Sequence, residues 1–518
     1  MHSQRHVKAV YVAILLCAGA AVGLPAQTFT TLHTFTGGYY DGAYPQGTLV
    51  QGTDGNLYGT AASGGVGAGV FFKLSPSGAF YLLHSFQEAL SSDGSFPSGG
   101  LALAPNGMLY GTTIFGGNSQ NQGTVFKASP SGSEAPIADF YFPGAGSGCE
   151  PGNSWQGANP SSGVIVATDG DLYGTTPTGG ANCQNPPYGP GFQGGGTVFV
   201  NPPPNAGVDN LYSFCQDFLI NNCLDGLEPA GGVIQATDGN FYGTTYWGGP
   251  QNNSCPSGCG TLFQLTPGGK LYTFYSFCSV GDCPDGRYPF AGLVQASDGN
   301  LYGTTQSGGT ANSQGTIFRV ELSTLSLTTI YQFCGQDLCP DGAQPSVALI
   351  QATDGRLYGT TMYGGVHGQG GTPNAGTIFN VTLGGRLTTL YTFGDSANGN
   401  VGINPNGLFQ ATNGDLYGTT QSSVNDESFG TAFSLSMNIR PFVEVNPSFG
   451  KVGTGVKILG TDLTGATRVL FNGKAAKFEV NSSTEITVQV PSGATSGRVL
   501  VRTPSGTLSS NVPFRVLK

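Results

Sequence analysis

An all-β chain is predicted, a seven-bladed β-propeller closed by its own N-terminal strand and followed by a second, smaller β unit. Three observations predict it. The tetrapeptide Leu/Phe-Tyr-Gly-Thr recurs seven times, beginning at Leu57, Leu109, Leu172, Phe241, Leu301, Leu357 and Leu416, and successive tyrosines from Tyr58 to Tyr417 stand 52 to 69 residues apart, a blade-sized period. Val, Ile, Thr, Tyr and Phe dominate short alternating runs, and the repeats show no helical periodicity. The repeat is also cut at an unusual place. Phe29-Thr30-Thr31-Leu32-His33-Thr34-Phe35 is a lone last strand, while the final repeat ends at Gly430-Thr431-Ala432-Phe433-Ser434-Leu435 without one. If the first strand completes the last blade, no edge is left unpaired.

Taken in chain order, Arg5 and Lys8 precede an apolar run from about Ala9 to Leu24, the form of a secretory signal peptide. Residues 1–26 are therefore expected to be removed after Ala26, with Gly23 as the alternative point. Cys17 follows Leu16 rather than the Gly or Ala that lipid attachment favours, and no other segment is long and apolar enough to span a bilayer. The expected domains are a propeller over 27–438 and a second unit over 439–518, in a secreted or cell-surface monomer.

Each repeat reads as four strands, A to D. In the fifth copy A is Ala291 to Ala296, B is Asn300 to Thr305, C is Gly315 to Val320 and D is Leu327 to Phe333. Asp298-Gly299 joins A to B and is expected to close a two-residue hairpin, as Asp54-Gly55, Asn106-Gly107, Asp169-Gly170, Asp238-Gly239, Asp354-Gly355 and Asn413-Gly414 are in the other copies. These aspartates are read as turn formers. The C–D turns, such as Ser75-Pro76-Ser77-Gly78, are equally tight, so one face is flat. The long, variable B–C and D–A loops emerge on the other face, where binding residues are expected.

The composition, 9% charged with 86 glycines among 518 residues, is that of a turn-rich β protein. The net charge of -10 conceals an asymmetry: residues 27–438 carry 7 Lys/Arg against 25 Asp/Glu, residues 439–518 carry 10 against 4. Repeats so poor in cations cannot neutralise a run of phosphates, which excludes nucleic acid as their ligand.

Removal of Cys17 leaves ten cysteines, an even number suited to an oxidising compartment. Cys215/Cys223, Cys278/Cys283 and Cys334/Cys339 occupy equivalent D–A loops, each pair opening after a D-strand Phe and closing before an Asp-Gly. Cys255/Cys259 share a B–C loop, which leaves Cys149 and Cys183 to pair. Disulfides are expected, and zinc at Cys255-Pro-Ser-Gly-Cys259 is the competing reading, which needs further Cys or His nearby.

Beyond residue 438 the repeat vanishes. Asn446-Pro447-Ser448-Phe449-Gly450, Gly455-Val456-Lys457-Ile458-Leu459-Gly460-Thr461-Asp462-Leu463 and Val469-Leu470-Phe471-Asn472-Gly473 resemble the IPT/TIG type of immunoglobulin-like domain, which implies a β-sandwich and, without cysteine, an apolar core. Such domains serve as spacers or adhesion modules, and the resemblance implies no chemistry. The repeats resemble the Gloeo/Verruco repeat of the choice-of-anchor tandem repeat proteins over about residues 29 to 435. The LYGTT core, the Gly-Gly pairs at 248–249, 308–309 and 364–365, the GT[VI]F strand and the LYSF-like D strand carry that likeness. The family implies no activity to transfer, and its members often carry C-terminal anchors, whereas no sorting tail is expected here, the last residues up to Lys518 showing none of its pattern.

Motifs of catalysis are sparse. His33 and His84 sit where other D strands place Tyr212, Tyr275, Tyr331 and Tyr391, so they are read as packing residues, which leaves His367 as the histidine free to act. There is no nucleophile elbow, phosphate loop or His-Glu-x-x-His segment. The loop face instead offers carboxylates and aromatics. Asp41, Asp93, Asp225, Asp285 and Asp341 each lie in Asp-Gly-x-x-Pro, readable as a turn or as a ring of carboxylates for a polyhydroxyl ligand or a cation, calcium being the one cofactor left open. Trp155, Tyr188, Tyr246, Trp247, Tyr288 and Tyr363 accompany them and suit stacking on sugar rings or a protein partner. The expected function is non-enzymatic binding or adhesion, with an extracellular glycan or protein as partner. A carbohydrate-active hydrolase or lyase with paired carboxylates and a purely structural matrix component are the alternatives.

Overall fold

The computed structural model describes residues 27–517 apart from 88–91, 118–120, 141–156, 181–193, 203–206, 216–222, 280, 310–313, 366–374, 395–401 and 423–428. The signal segment, Cys149, Cys183, Trp155, Tyr188 and His367 lie outside these residues. Strands account for all the regular structure described, with no helix among them.

Each LYGT copy forms the second strand of an antiparallel sheet in the order A-B-C-D. In the fifth these are Val294–Gln295, Leu301–Thr305, Thr316–Glu321 and Ser326–Gln332. The sheet of the seventh copy takes its outer strand from the start of the chain. Thr28–Thr34 runs antiparallel to Thr431–Ser436, with Phe29 opposite Leu435 and Thr34 opposite Thr431.

Two expectations change in detail. The A–B hairpin is not a two-residue turn: Gly52 N–H donates to Asn56 O and Gly55 N–H to Gly52 O, so three residues make the loop. Only the last of them, Gly55 at φ 79°, is left-handed, which is a type I turn with a G1 bulge. Asp54 thus keeps an ordinary φ and its Oδ1 accepts Asn56 N–H, an Asx turn that a mirror-image hairpin would not need. Strand A is also shorter than expected, two residues in the fifth sheet, because the segment before it is diverted into contacts with the neighbouring repeat.

The apolar core is distributed over the seams between consecutive sheets. Tyr302, Ile317 and Phe333 of the fifth copy pack with Leu349, Leu357 and Phe379 of the sixth, and Phe35, Leu57 and Phe72 at the start of the chain pack with Ala411, Tyr417 and Ala432 of the last repeat. A glutamine at the end of strand A fastens several seams. Gln295 Nε2 donates to Gly299 O of its own turn (2.9 Å), and its Oε1 accepts Thr237 N–H of the preceding sheet (2.9 Å). Gln235, Gln351 and Gln410 do the same toward Thr168, Ser297 and Thr353, and Gln51 of the first sheet receives Thr412 N–H of the last at 2.9 Å. Leu103 and Val166 replace this glutamine in the second and third repeats.

The C-terminal strands form two four-stranded sheets, one centred on Gly455–Leu459 and Glu485–Gln489, the other on Arg468–Phe471 and Val499–Thr503. Val445, Ile458, Val469, Phe471, Ile486, Val501 and Phe514 fill a buried core, the apolar sandwich expected of a cysteine-free domain. These strands meet the A–B turns, on the flat face. Thr484 Oγ1 donates to Thr53 O (2.9 Å), Asn446 Nδ2 to Leu103 O (3.1 Å), Arg515 to Thr237 O (2.9 Å), and Phe442 N–H to Thr412 O (3.0 Å). Where Leu103 and Val166 break the glutamine pattern, apolar residues of repeats two and three meet Pro447 and Phe449 around a cavity of about 550 Å³.

Candidate binding face

The five loop aspartates expected as a carboxylate ring are all hydrogen-bonded within their own neighbourhood. Asp225, Asp285 and Asp341 accept the hydroxyls of Tyr212, Tyr275 and Tyr331 at 2.9, 2.8 and 2.8 Å. The same carboxylates take the backbone N–H of Cys215, Cys278 and Cys334 at 3.0 Å, just past each D strand. His33 and His84 are the same device in imidazole form, at 3.0 Å from Asp41 and 3.2 Å from Asp93. Asp41 also accepts Thr36 N–H and Oγ1–H; burial raises its pKa, but these hydrogen bonds and His33 outweigh it and hold the carboxyl below its usual value. The D-strand histidines therefore pin the loop as well as pack.

In all seven repeats, the five with a loop aspartate and the two without, the residue before the proline varies. Tyr44, Phe96, Asn159, Glu228, Tyr288, Gln344 and Asn404 all adopt φ between 55° and 60°. Proline disfavours the right-handed helical region for its predecessor, and left-handed backbone costs a non-glycine residue about 1 kcal/mol or more. A hydrogen bond to the preceding repeat offsets this: Tyr288 N–H donates to Cys259 O, Phe96 N–H to Ala68 O and Tyr44 N–H to Phe429 O, each at 2.8 Å. The proline ring then lies against the glycine that opens strand C of the preceding repeat. A Cβ on Gly260 would stand 2.6 Å from Pro289 Cδ, and one on Gly430 2.9 Å from Pro45 Cδ, which explains the Gly of GT[VI]F. Asp-Gly-x-x-Pro thus holds one backbone shape under changing side chains. The aspartate drew attention in the sequence, whereas the variable residue before proline is the one this loop displays, and its variation was the available signal.

Four aromatic rings converge where the fourth and fifth repeats meet. Trp247 lies 4.8 Å from Tyr288 and 4.9 Å from Tyr246, Tyr246 5.3 Å from Tyr288, and Phe290, 42% exposed, 5.7 Å from Tyr246. The guanidinium of Arg287 stands 5.3 Å from the Tyr288 ring. Tyr246 donates to Gln306 Oε1 (3.1 Å). Glu228 is half-buried among these groups; burial pushes its carboxyl up to about 7 although a hydrogen bond with Trp247 opposes the rise. Tyr246, Trp247 and Tyr288 were expected on this face and come together, whereas Tyr363 pairs with Ala343 two repeats from Trp247, and Phe290, Arg287 and Glu228 were not anticipated.

Among the described residues four disulfides stiffen the loops: Cys215–Cys223, Cys255–Cys259, Cys278–Cys283 and Cys334–Cys339. The first packs with Leu227 against Trp247. The second and third lie side by side, their four sulfurs within 4.8 Å of one another, so the further cysteines that zinc would require are present but bonded in pairs.

The fold and this face define a tandem-repeat β protein with an appended sandwich. The model of the Gloeobacter/Verrucomicrobia repeat matches residues 19–182 and 151–372, and the chain belongs to that family. Residues 442–516 match the IPT/TIG domain. No curated protein matches the chain. Solved structures with similar folds include a fungal alcohol oxidase of the AA5 family in complex with copper (10% identity, 95% of this chain and 99% of that one, TM-score 0.46). They also include an oligogalacturonate lyase from Vibrio parahaemolyticus (10% identity, 79% and 97%, TM-score 0.42). A luciferin-regenerating enzyme is similar at 11% identity, with 80% and 98% covered and a TM-score of 0.37.

Proposed function

We propose that the chain is a secreted glycan-binding protein in which residues 27–438 form a closed seven-bladed propeller, residues 439–518 an IPT/TIG domain, and residues 1–26 a cleaved signal peptide. Closure is supported by the pairing of Thr28–Thr34 with Thr431–Ser436, the Gln51–Thr412 hydrogen bond, and the apolar seam between the first and last repeats. Further support comes from small residues in contact around the A strands: a Cβ on Gly231 would meet Ala291, and one on Gly407 would meet Thr48. Disulfides on the loops suit an oxidising compartment.

The Tyr246, Trp247, Tyr288 and Phe290 cluster carries the binding reading. Ring faces take the apolar CH face of a sugar, while Gln306, Arg287 and Glu228 offer groups for its hydroxyls. The disulfide beneath Trp247 lowers the cost of ordering the loop on binding. Hydrolysis is less well supported, since the five loop aspartates are engaged in hydrogen bonds or ion pairs.

The test is a glycan-array screen of the purified protein beside Trp247→Ala and Tyr288→Ala. Each substitution should weaken a bound glycan by about 1–3 kcal/mol with no change in melting temperature large enough to signal unfolding. Reducing ends released from the bound glycan would favour the hydrolase, and a glycan bound equally by both variants would move the site elsewhere.

A further inference from the structure

Glu134 opens the D strand of the second repeat, opposite Ala128 of strand C. At this register other sheets place an apolar residue: Phe29 opposite Leu435, Phe80 opposite Leu74, Leu271 opposite Leu265, Leu327 opposite Val320 and Leu387 opposite Val381. The position faces the pinning residue on the preceding D strand. Phe80 stacks on His33 with ring centroids 4.1 Å apart, and Phe29 stacks on Tyr391 at 4.0 Å. Glu134 therefore puts a carboxylate in a slot built for an apolar side chain, against His84 and its partner Asp93.

Two features single out this slot. The Glu134 side chain is only 2% exposed, and its Oε1 is buried with no hydrogen-bond partner. His84 Nε2 stands 3.2 Å from Asp93 Oδ2 and 3.6 Å from Glu134 Oε2, and the donor atoms of all three lie within 4.8 Å of one another. Two donors bound to one tetrahedral centre at about 2.1 Å are separated by about 3.4 Å, and the two distances from His84 Nε2, 3.2 and 3.6 Å, lie close to that value.

We propose that His84, Asp93 and Glu134 bind one divalent first-row transition cation, zinc fitting the donor set best. One imidazole nitrogen with two carboxylate oxygens matches zinc, whereas calcium takes oxygen donors alone. The ion joins the D strand of the first repeat, the connection that follows it and the D strand of the second, so it is a cross-link between neighbouring sheets. The molecule contains its own control, since His33 and Asp41 repeat the imidazole–carboxylate pair but have Phe80 in place of the third ligand.

The experiment is calorimetric titration of the EDTA-treated, re-purified protein with zinc chloride, with melting curves recorded with and without the metal. The parent should bind one equivalent and melt higher in its presence. Glu134→Leu and His84→Tyr restore residues that other repeats carry at these positions, so both should fold; each should lose the equivalent and the melting shift. His33→Tyr should keep both. Failure of the parent to bind zinc, or retention of the full equivalent by Glu134→Leu and His84→Tyr, would overturn the site.

Discussion

At the scale of the residue, one interaction recurs: a tyrosine hydroxyl donating to a turn aspartate. The LYGT tyrosines Tyr58, Tyr173, Tyr302 and Tyr358 reach Asp54, Asp169, Asp298 and Asp354 at 2.8 Å. Burial, and then the aspartate, hold each phenol above its ordinary pKa. The tyrosine ring fills a seam while its hydroxyl ties the flat-face turn. Asp298→Ala should therefore cost about 1 kcal/mol, the penalty of a hydroxyl left without its acceptor, read as a lower urea midpoint with ligand binding unchanged. Asp298→Asn should cost less, because an amide keeps the contact in the reverse sense: Asn413 Nδ2 donates to the Tyr417 hydroxyl in the seventh repeat at 2.9 Å. The aspartates of both faces were legible in the sequence as turn formers. Their tyrosine partners were not, since nothing in a one-dimensional pattern says where a phenol's oxygen points.

At the scale of the element, the N-terminal strand is the decisive piece. It covers the hydrogen-bonding edge of Thr431–Ser436 and contributes Phe29 and Phe35 to two seams. Deleting residues 27–36 should leave that edge open and produce aggregation or a large fall in melting temperature, seen by light scattering during a thermal ramp. A deletion that melts like the parent would refute the closed ring. The orphan strand was readable because its composition copies the other D strands. The short A strands were not, because Gly and Ala there serve the close approach of neighbouring repeats, a tertiary demand that lowers local strand propensity.

At the scale of the whole molecule, the C-terminal domain sits against the A–B turns, which leaves the loop face with its aromatic cluster on the other side of the repeats. Removing residues 439–518 should leave the repeats folded with a lower melting temperature, since it uncovers Leu103 and Val166. Glu444 lies in this seam, where burial raises its carboxyl from 4.5 to about 7. A carboxyl raised on folding holds its proton more tightly in the native state, so its contribution is full below about pH 4.5 and is lost as pH rises through about 7. Glu444→Gln should flatten that fall, as measured by melting temperature between pH 4.5 and 8.

Repetition by itself determined the strand order, the two faces, the N-terminal strand's place and four cysteine pairs, because each depends on local pattern: alternation, turn dipeptides and near neighbours in sequence. The IPT/TIG assignment was equally local. Only the tertiary structure decided which chemistry meets which. Glu134 looks unremarkable in sequence and becomes a buried carboxylate beside His84 because consecutive sheets overlap there. Tyr288 joins Trp247, some forty residues earlier, because a proline loop reaches back across a seam. The charge asymmetry allowed the basic domain to dock on the acidic repeats, but the place was decided by the tertiary structure, through hydrogen bonds to backbone carbonyls that every residue carries and the apolar contact of Pro447 and Phe449.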